Sequence, residues 1–584
     1  MRTRSVALSL NGATLALLAL LLVTFVAFLG MTLFNTKGEP REALVAVSIL
    51  NQGNWILPVS CGADIPYKPP MLAWCIALFG WLNGGHVTEF LSRIPSALGA
   101  VVMLICFFRF YARRGSMAVA AVATLVAATT FELHRAATSC RVDMLLASFV
   151  VMAILAMYVT AEKYPGRWRL SFPGILLMSA GVLTKGPVGM LLPCGVLLVL
   201  ELMKGERLWR AFSLYAVSGI LALLLPAAWY LLAYQQGGDS FLELALEENF
   251  GRFLGRMSYE SHEHTFLYNF QTLATGIAPY TLLLLLGLAA WRRFRRPAGG
   301  VGQWWASLRS MPAEELLAVV ASVVIFVFYC IPKSKRSVYL LPMYPFVAYG
   351  IAIYIRWMVR HAPRLLRGFG IFMAVVGVLA SLAMILIMLG AVPAMGGDRV
   401  AAFFVEAQGL GPVSLLICCM AVCGILGSLR VLTRGGVRQA VQWMLLDIMI
   451  IYWVFSAAIQ PMVLNPKSDR PMAAAIEAVA APDDHIYGFM SADMLRYYTA
   501  GFYMNDRIEA IASTDRPLAP SGWIIVGDKD VDSLKRFMPQ DVVLERMMEW
   551  PQKSCDNKLP AKLYFYETTE NSGGTNEPNK PGGR

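Results

Sequence analysis

The chain has 584 residues, of which 57% are hydrophobic and only 15% are charged. A soluble globular protein is closer to half apolar and a quarter charged, so this composition excludes an ordinary soluble fold. The apolar residues fall into blocks of roughly 17–24 residues, the length that an α-helix needs to cross about 30 Å of hydrocarbon. Because lipid offers the backbone no hydrogen-bond partners, these blocks are expected to be helices.

The net charge of +12 could indicate a nucleic-acid partner, but the placement of the charges does not. Lys and Arg cluster in alternate loops, which is the pattern of cytoplasmic loops in membrane proteins. The partner predicted from this pattern is therefore the lipid bilayer, with no nucleic acid. The predicted cytoplasmic clusters are Arg2/Arg4, Arg109/Arg113/Arg114, Lys163/Arg167/Arg169, Lys204/Arg207/Arg210, Arg292/Arg293/Arg295/Arg296, Arg356/Arg360/Arg364/Arg367 and Arg430/Arg434/Arg438.

The first apolar block, from Ala13 to Phe34, is longer than a signal peptide core and is followed by no small-residue cleavage site, which predicts an uncleaved span. The N-terminus is then cytoplasmic. Threading helices between the basic clusters gives about 13 spans, with the C-terminus outside. The predicted spans lie near residues 13–34, 95–111, 117–133, 144–160, 172–184, 187–202, 212–234, 271–291, 314–331, 338–356, 368–390, 412–430 and 441–460.

Two regions outside the predicted spans differ from them, one in its length and the other in its composition. The apolar stretch Met71–Leu82 is too short to cross, so it is predicted to be an interfacial helix on the outer membrane surface, anchored by Trp74 and Trp81. After residue 461, polar and charged residues rise and the runs 522–527 and 563–566 are typical of strands. Helices are predicted at 472–481 and 491–500, so residues 462–569 are predicted to form a small outer α/β domain.

The tail 570–584, rich in Gly, Pro and Asn, is predicted to be disordered.

The loops predicted to face outward carry unexpected cations, which cost energy at the edge of the membrane. Any single one is explained by a side chain reaching the lipid headgroups. Several clusters on one side instead indicate a site for a phosphate that itself stays at the membrane, because Lys and Arg both bind phosphate. These clusters are Lys37/Arg41/Lys68, Arg135/Arg141, Lys185, Arg252/Arg256 and Lys333/Lys335/Arg336.

Two carboxylates share these loops. Glu39 follows the first span, and Asp143 precedes a later one. Asp143 could simply stabilise the N-terminus of its helix through its negative charge, and Glu39 could form an ion pair with Arg41. A catalytic role is the alternative, since a phosphate leaves as a stable anion that cations can stabilise. One carboxylate then suffices as the base for an acceptor hydroxyl, whereas glycosidases need two.

A series of local motifs resembles the GT-C glycosyltransferases, most closely the aminoarabinose lipid A transferases, which are relatives of the protein O-mannosyltransferases. The resemblance covers roughly residues 10–470 and rests on the order of the motifs more than on any one of them. The motifs are Gly38-Glu39-Pro40-Arg41-Glu42-Ala43, Gly53-Asn54-Trp55-Ile56-Leu57-Pro58, Tyr67-Lys68-Pro69-Pro70-Met71, Arg93-Ile94-Pro95-Ser96-Ala97, Arg141-Val142-Asp143-Met144-Leu145, Thr184-Lys185-Gly186-Pro187, Glu248-Asn249-Phe250-Gly251-Arg252-Phe253 and 334–342.

The resemblance implies a mainly α, polytopic bundle of GT-C type in a bacterial inner membrane, with a periplasmic active site. It implies an undecaprenyl-phosphate-linked sugar as donor and a lipid A-like or protein hydroxyl as acceptor. By motif position Lys68 would contact the donor phosphate, flanked by Lys335, Arg336 and Tyr339, with Lys185 as a further phosphate ligand. The resemblance also implies a sugar and acceptor cavity lined by Asp143, Arg41, Arg141, Asn249 and Arg252.

The chain departs from the family pattern at two positions. Gly38 stands where the family usually has an acidic residue before Glu39, so Glu39 must serve as the base or Asp143 takes that role. Tyr67 stands where the aminoarabinose branch has an acidic residue linked to metal binding, which leaves His262 as a weak metal ligand and makes a divalent metal doubtful.

Two other functions fit the same residues: a carrier or flippase for the lipid-linked sugar without covalent transfer, and an outer domain that acts as a receptor.

Overall fold

The structure is a computed structural model that describes residues 2–251, 263–288, 307–394, 397–491, 496–511 and 518–568. Arg252, Arg256, His262, the basic cluster at 292–296 and the predicted disordered tail 570–584 lie outside the described residues. The chain forms two compact units, of which the first comprises residues 1–32, 67–79 and 88–462 and the second comprises 33–66, 80–87 and 463–584.

The described residues are mostly helical, as the composition predicts. The helices are α1 Arg2–Phe25, α2 Gly38–Gln52, α3 Met71–Leu82, α4 Glu89–Arg114, α5 Met117–Ala128, α6 Phe131–Ala137, α7 Val142–Lys163, α8 Phe172–Lys185, α9 Val188–Met203, α10 Leu208–Ala222, α11 Leu224–Leu246, α12 Leu267–Gly276, α13 Tyr280–Leu288, α14 Ala313–Cys330, α15 Tyr344–His361, α16 Pro363–Met388, α17 Asp398–Gly409, α18 Pro412–Arg434, α19 Val437–Val454, α20 Gln460–Leu464, α21 Arg470–Glu477, α22 Tyr498–Tyr503 and α23 Val531–Phe537.

Within the described residues, eight helices are long and apolar enough to cross a membrane, and two bent helix pairs raise the number to ten if each pair is one span. The predicted count of about 13 is therefore not confirmed. The remaining difference lies in short apolar helices, which include α8 and α9. The predicted split of residues 172–202 into two short helices around Lys185-Gly186-Pro187 is confirmed.

Three predicted spans differ from the structure for identifiable reasons. The first helix ends at Phe25 instead of Phe34, because the buried Arg93 guanidinium binds the carbonyl oxygens of Leu29 and Thr32 at 2.7 Å each, where the chain has left the helix. The predicted span 117–133 is two helices, α5 and α6, bent by 69°. The predicted span at 271–291 begins as α12 and breaks before Pro279, which has no N–H to donate.

The first unit has two distinguishable ends. Arg114 and Glu162 form an ion pair that joins the C-terminal ends of α4 and α7. Asp143 lies in the first turn of α7, a helix of 22 residues that rises about 33 Å. Asp143 and Glu162 therefore lie at opposite ends of the helix bundle, separated by about the thickness of the hydrocarbon layer.

The second unit contains a five-stranded sheet with the strand order β2-β1-β3-β5-β4. β1 is parallel to β2 and β3, whereas β5 is antiparallel to β3 and β4. The predicted small α/β domain and the predicted strands at 522–527 and 563–566 are confirmed. The strands are β1 Ile486–Phe489, β2 Ile508–Ala510, β3 Ser521–Gly527, β4 Val542–Lys553 and β5 Pro560–Thr568.

The helices of the predicted outer regions differ in length from their predictions. The helix predicted at 472–481 is α21, which ends at Glu477. The helix predicted at 491–500 begins only at Tyr498 as α22, and residues 492–495 lie outside the described residues. The predicted short helix at 71–82 is α3, with the same limits.

The second unit also includes the first long loop of the chain, residues 33–66. The Ser48 hydroxyl on α2 donates to Asp506 Oδ2 at 2.6 Å, and the Cys61 backbone N–H donates to Asp506 Oδ1 at 3.0 Å. Arg496 pairs with Asp64 at 3.0 Å. This loop and the C-terminal sheet thus form one compact unit, while the predicted domain boundary at 461/462 remains a prediction.

Candidate functional site

The first unit contains a cavity of about 380 Å³, within the range of roughly 300–1,000 Å³ that is usual for small-ligand sites. Its apolar walls and few polar groups fit a ligand with both a lipid part and a charged part. Four of the predicted site residues line it: Lys68, Lys185, Asn249 and Tyr339. The complete lining is Tyr67, Lys68, Pro69, Lys185, Pro187, Val188, Leu191, Glu248, Asn249, Phe328, Tyr329, Pro332, Ser334 and Tyr339.

Lys185 is the best-defined cation of this cavity. It ends α8, where a positive charge is favoured by the helix dipole. Its ammonium group forms an ion pair with Asp143. The same ammonium lies over the Tyr339 ring, 4.2 Å from the ring centroid, which is a cation–π contact. Lys185 is therefore held from two sides at the cavity wall.

Asp143 is not among the lining residues and reaches the cavity through its ion pair with Lys185. Its side chain is 12% exposed, and Lys68 and Arg141 act on it electrostatically in addition to Lys185. The residue that precedes α7, Arg141, makes no side-chain capping bond. The pairing with Lys185 thus gives Asp143 a role beyond favouring the start of a helix.

Lys68 enters the cavity from the segment before α3. Tyr67, Lys68 and Pro69 all line the cavity, and the Lys68 ammonium lies 5.4 Å from the centroid of the Tyr67 ring. Pro69 and Pro70 follow, and each fixes its own φ and disfavours a helical conformation of the residue before it. The two prolines therefore restrict the backbone that presents Lys68.

The loop 332–339 forms another wall, but its three cations, Lys333, Lys335 and Arg336, are not among the lining residues. Lys335 is 4% exposed and donates to the Pro332 carbonyl oxygen. Arg336 precedes the 3₁₀-helix Ser337–Met343, and its Nε has no hydrogen-bond partner in the described part of the chain. Ser334 and Tyr339, on either side of them, do line the cavity.

Residues of α6 hold the loop 332–339 in place. Glu132 is nearly buried and binds Arg135 through two bonds, of 2.6 and 3.1 Å. Arg135 Nη2 in turn donates to Ser337 Oγ at 3.2 Å. The unexpected cation Arg135 therefore has a structural explanation: it positions the start of the 3₁₀-helix that carries Tyr339.

Asn249, a residue of the lining, lies close to Gly186, which follows Lys185. Asn249 Nδ2 donates to the Ala245 carbonyl at 2.8 Å and to the Tyr230 hydroxyl at 3.2 Å. Gly186 has a φ of +77°, which favours glycine, and a Cβ atom there would lie 1.9 Å from Asn249 Oδ1. Only a glycine at position 186, directly after Lys185, lets Asn249 come this close.

We expect Gly186→Ala to abolish the sugar transfer that the family resemblance implies, since its methyl group must displace Asn249 from beside Lys185. The backbone strain alone costs about 1–3 kcal/mol. Gly238→Ala is the matched control, because Gly238 has a similar conformation (φ 58°, ψ −147°) and nothing within 4 Å of its added Cβ. Equal losses of transfer in both variants, measured beside their melting temperatures, would contradict a specific role of the Gly186–Asn249 contact.

The other predicted site residues lie away from this cavity or outside the described residues. Glu39 and Arg41 lie in the first turns of α2 in the second unit, where Glu39 is buried and Arg41 pairs with Glu42 at 3.5 Å. Arg252 and His262 fall outside the described residues. The roles of all these residues remain predictions.

The structure also assigns to the cavity residues that the sequence did not single out. Glu248 adds a carboxylate to the wall, and Tyr329 packs 5.4 Å from the Tyr339 ring. Glu248 could have been found as the neighbour of Asn249 in a quoted motif. No sequence signal distinguishes Tyr329 from the other aromatic residues of α14.

One group of side chains has the spacing of metal ligands among the described residues: Asp469, Cys555 and Asp556, all buried in the second unit. Each carboxylate already accepts hydrogen bonds. Asp469 accepts from the Ser554 hydroxyl at 2.7 Å, and Asp556 accepts from the Thr499 N–H and hydroxyl at 2.9 and 3.0 Å. These bonds join the starts of α21 and α22 to the turn between β4 and β5, and no cofactor is assigned to the group.

We expect this group to make the second unit less stable as the pH rises. Burial and the charge of Asp469 raise the Asp556 pKa to about 8, so the folded chain keeps a proton that the unfolded chain releases near pH 4. One such proton lowers the free energy of unfolding by at most about 1.4 kcal/mol per pH unit between these values.

Hydrogen-exchange protection of β3, corrected for the intrinsic rate, should fall from pH 6 to pH 8. Asp556→Asn should flatten this dependence and Asp532→Asn, at an exposed site, should not. Equal pH dependence in all three proteins would contradict the assignment.

Comparison with known proteins agrees with the resemblance. Residues 67–231 match the family described as dolichyl-phosphate-mannose-protein mannosyltransferase. An uncharacterised protein of Aquifex aeolicus is 27% identical over 54% of this chain and 59% of its own length. The undecaprenyl phosphate-alpha-4-amino-4-deoxy-L-arabinose arabinosyl transferase of Edwardsiella ictaluri is 25% identical over 60% of each chain. The chain thus spans about 60% of the length of the curated relatives it matches.

A likeness of the whole fold extends further than the sequence matches. The crystal structure of ArnT from Cupriavidus metallidurans bound to undecaprenyl phosphate has a TM-score of 0.66 and 18% identity, over 95% of this chain and 98% of that one. Its apo structure has the same TM-score and 19% identity. The predicted mainly α membrane fold with a small C-terminal α/β domain is confirmed.

Proposed function

We propose that this chain, which has the fold of the GT-C glycosyltransferases, transfers a sugar from a polyprenyl phosphate, such as undecaprenyl phosphate, to a lipid A-like or protein hydroxyl. The observation that carries this proposal is the cavity in which Lys68 and Lys185 share one apolar pocket with Tyr339. Apolar walls suit the prenyl chain, and the two ammonium groups suit its phosphate. The name of the Edwardsiella ictaluri relative contains an undecaprenyl-phosphate-linked sugar, and the name of the matching family contains a dolichyl-phosphate-linked one.

The proposed reaction is one displacement at the anomeric carbon. The acceptor oxygen forms a bond to that carbon while the bond to the phosphate oxygen breaks, and the phosphate leaves as an anion. Lys68 and Lys185 stabilise the negative charge that develops on the leaving oxygen, which is the largest electrostatic demand of the step. A carboxylate takes the proton of the acceptor hydroxyl.

The carboxylates have different assignments in this proposal. Asp143 holds the Lys185 ammonium, as their ion pair indicates, and orients it toward the cavity. Glu39 is proposed as the base, because it stands in the first-loop motif that resembles the family. Asp143 is the other candidate, and the pH profiles of Glu39→Gln and Asp143→Asn separate the two.

We assign no step of the reaction to a metal. The residue before Lys68 is Tyr67, which lines the cavity with a neutral phenol where a carboxylate would attract a cation. We assign to Lys68 and Lys185 the neutralisation of the phosphate charge, which a metal ion would otherwise provide.

The proposed location is the bacterial inner membrane, with the N-terminus in the cytoplasm and the sugar-transfer site and C-terminal domain on the periplasmic side. The basic clusters support this orientation, since those of α4, α7 and α9 lie at the end of the bundle opposite to Asp143. A reporter fused after residue 568 should be active only in the periplasm.

The test is transfer by the purified full-length chain in vesicles. Undecaprenyl-phosphate-linked sugars are supplied with lipid A or with a serine-rich peptide, and mass spectrometry follows the acceptor and the released undecaprenyl phosphate. Transfer to either acceptor supports the proposal, and the acceptor used decides the class. Absence of transfer from a folded protein that instead accumulates the donor across the vesicle would favour the carrier function.

A further inference from the structure

A second cavity, of about 320 Å³, lies at the end of the first unit that carries Glu162 and the ends of α7 and α9. It is remote from Lys68 and Lys185, because α7 separates its two ends by about 33 Å. Its lining comes from the end of α7 and the loop after it, the end of α9 and the loop after it, the start of α10, and Ala313 at the start of α14. The lining contains three carboxylates, four cations and three tyrosines.

The carboxylates of this cavity are already neutralised. Glu162 pairs with Arg114, which lies outside the lining. Glu201 pairs with Lys204 at 3.5 Å, and Glu206 pairs with Arg210 at 3.4 Å. All three acidic side chains of the lining therefore have a cationic partner.

Two arginines of the lining remain without a carboxylate in the described part of the chain. Arg167 makes no ion pair there, and Arg169 contacts only the Tyr164 ring, 5.3 Å from its centroid. Lys204 also lies over a ring, that of Tyr158, at 4.7 Å. The cavity thus presents an excess of positive charge on an aromatic floor.

Tyr215 gives a second and independent indication of a ligand. Tyr215 is one of the lining residues, and it is only 4% exposed. Its hydroxyl has no hydrogen-bond partner among the residues that the structure describes. A buried hydroxyl without a partner costs free energy, so a polar ligand atom in the cavity would complete it.

We propose that this cavity binds a phosphate group of a membrane phospholipid, on the face of the membrane opposite to the sugar-transfer site. Arg167 and Arg169 contact the phosphate oxygens, and the Tyr215 hydroxyl donates to the headgroup. Basic pockets between membrane helices on the cytoplasmic side are suited to anionic headgroups. A soluble phosphate ester has the same chemistry and is distinguished by the experiment.

The experiment is native mass spectrometry of the full-length chain in detergent. The probes are phosphatidylglycerol, phosphatidylcholine and, as the soluble source, glycerol 3-phosphate. We expect one phosphatidylglycerol to be retained at least tenfold more tightly than phosphatidylcholine. Arg167→Gln with Arg169→Gln should weaken it about tenfold or more, and Tyr215→Phe should weaken it about threefold.

The matched control is Arg360→Gln with Arg364→Gln. These arginines lie at the turn between α15 and α16, are exposed and do not line the cavity, so they remove the same charge without touching it. Binding of glycerol 3-phosphate that is lost in the Arg167/Arg169 variant would assign the site to a soluble ester. Equal lipid affinity of the Arg167/Arg169 variant and wild type, or equal losses in the control, would overturn the proposal.

Discussion

Replacing Lys68 by alanine is expected to reduce sugar transfer by at least 100-fold while the protein is still inserted and purified in normal yield. Lys68 lines the cavity beside Lys185, and removing one group that stabilises a developing oxyanion costs roughly 10²–10³ in kcat. The measurement is the initial rate of transfer in vesicles at saturating acceptor. Binding of undecaprenyl phosphate to the same variant should also weaken.

The control for this loss is another lysine of the cavity region. Lys333 lies between Pro332 and Ser334, which line the cavity, but its own side chain is exposed and is not part of the lining. Lys333→Ala should therefore keep transfer within about threefold of wild type, which corresponds to less than about 1 kcal/mol. A Lys68→Ala protein as active as Lys333→Ala would remove Lys68 from the phosphate site.

Glu39→Gln is expected to reduce transfer by about 10²–10⁴-fold, the usual contribution of a general base. The substitution keeps the size of the side chain and removes only its ability to accept a proton. The measurement is kcat across pH 3–8, which includes the range where carboxylates titrate, because a lost base also removes the acidic limb of the pH profile. Binding of the donor should be unchanged.

Glu42→Gln and Asp143→Asn complete this experiment. Glu42 is a second buried carboxylate on the same helix, so its variant controls for the loss of charge on α2. Asp143→Asn removes the partner of Lys185 and should weaken donor binding as well as turnover. If Glu39→Gln turns over like the wild type and Asp143→Asn loses the acidic limb, the base is Asp143.

The membrane-spanning part of the fold was largely predictable, because hydrophobic length and basic clusters are direct physical requirements of a bilayer. The helix ends were not. Arg93 captures the carbonyls of Leu29 and Thr32 and ends the first helix early, and this contact joins residues about 60 positions apart. Hydropathy carries no information about such long-range hydrogen bonds.

The candidate site was predictable in its residue types and only in part in its geometry. Lys68, Lys185, Asn249 and Tyr339 were all proposed from the sequence and do line one cavity. Lys335 was proposed in the same way, yet it is buried against the Pro332 carbonyl. A motif gives the order of residues, whereas the direction of each side chain depends on the packing of the loop that carries it.

The place of the first loop in the fold was not predicted at all. Its partner in the compact second unit is Asp506, which accepts bonds from Ser48 and the Cys61 backbone across more than 440 positions of the chain. The polar residues of this loop could as well have faced water. Such a contact between distant segments leaves no periodic pattern in either of them.

The shortness of α8 has a consequence for the lipid around it. Its 14 residues rise only about 21 Å, whereas the hydrocarbon layer is about 30 Å thick. The residue before it, Ser171, donates to the Ala156 carbonyl of α7 at 3.3 Å and accepts from the Thr160 hydroxyl at 2.9 Å. Lys185 at the other end reaches the level of its partner Asp143, so the missing length lies at the start of α8, on the side of Arg167 and Arg169. The bilayer must thin locally at that start or let water in. Acyl-chain length in the host membrane should therefore set how much the lipid deforms around the start of α8.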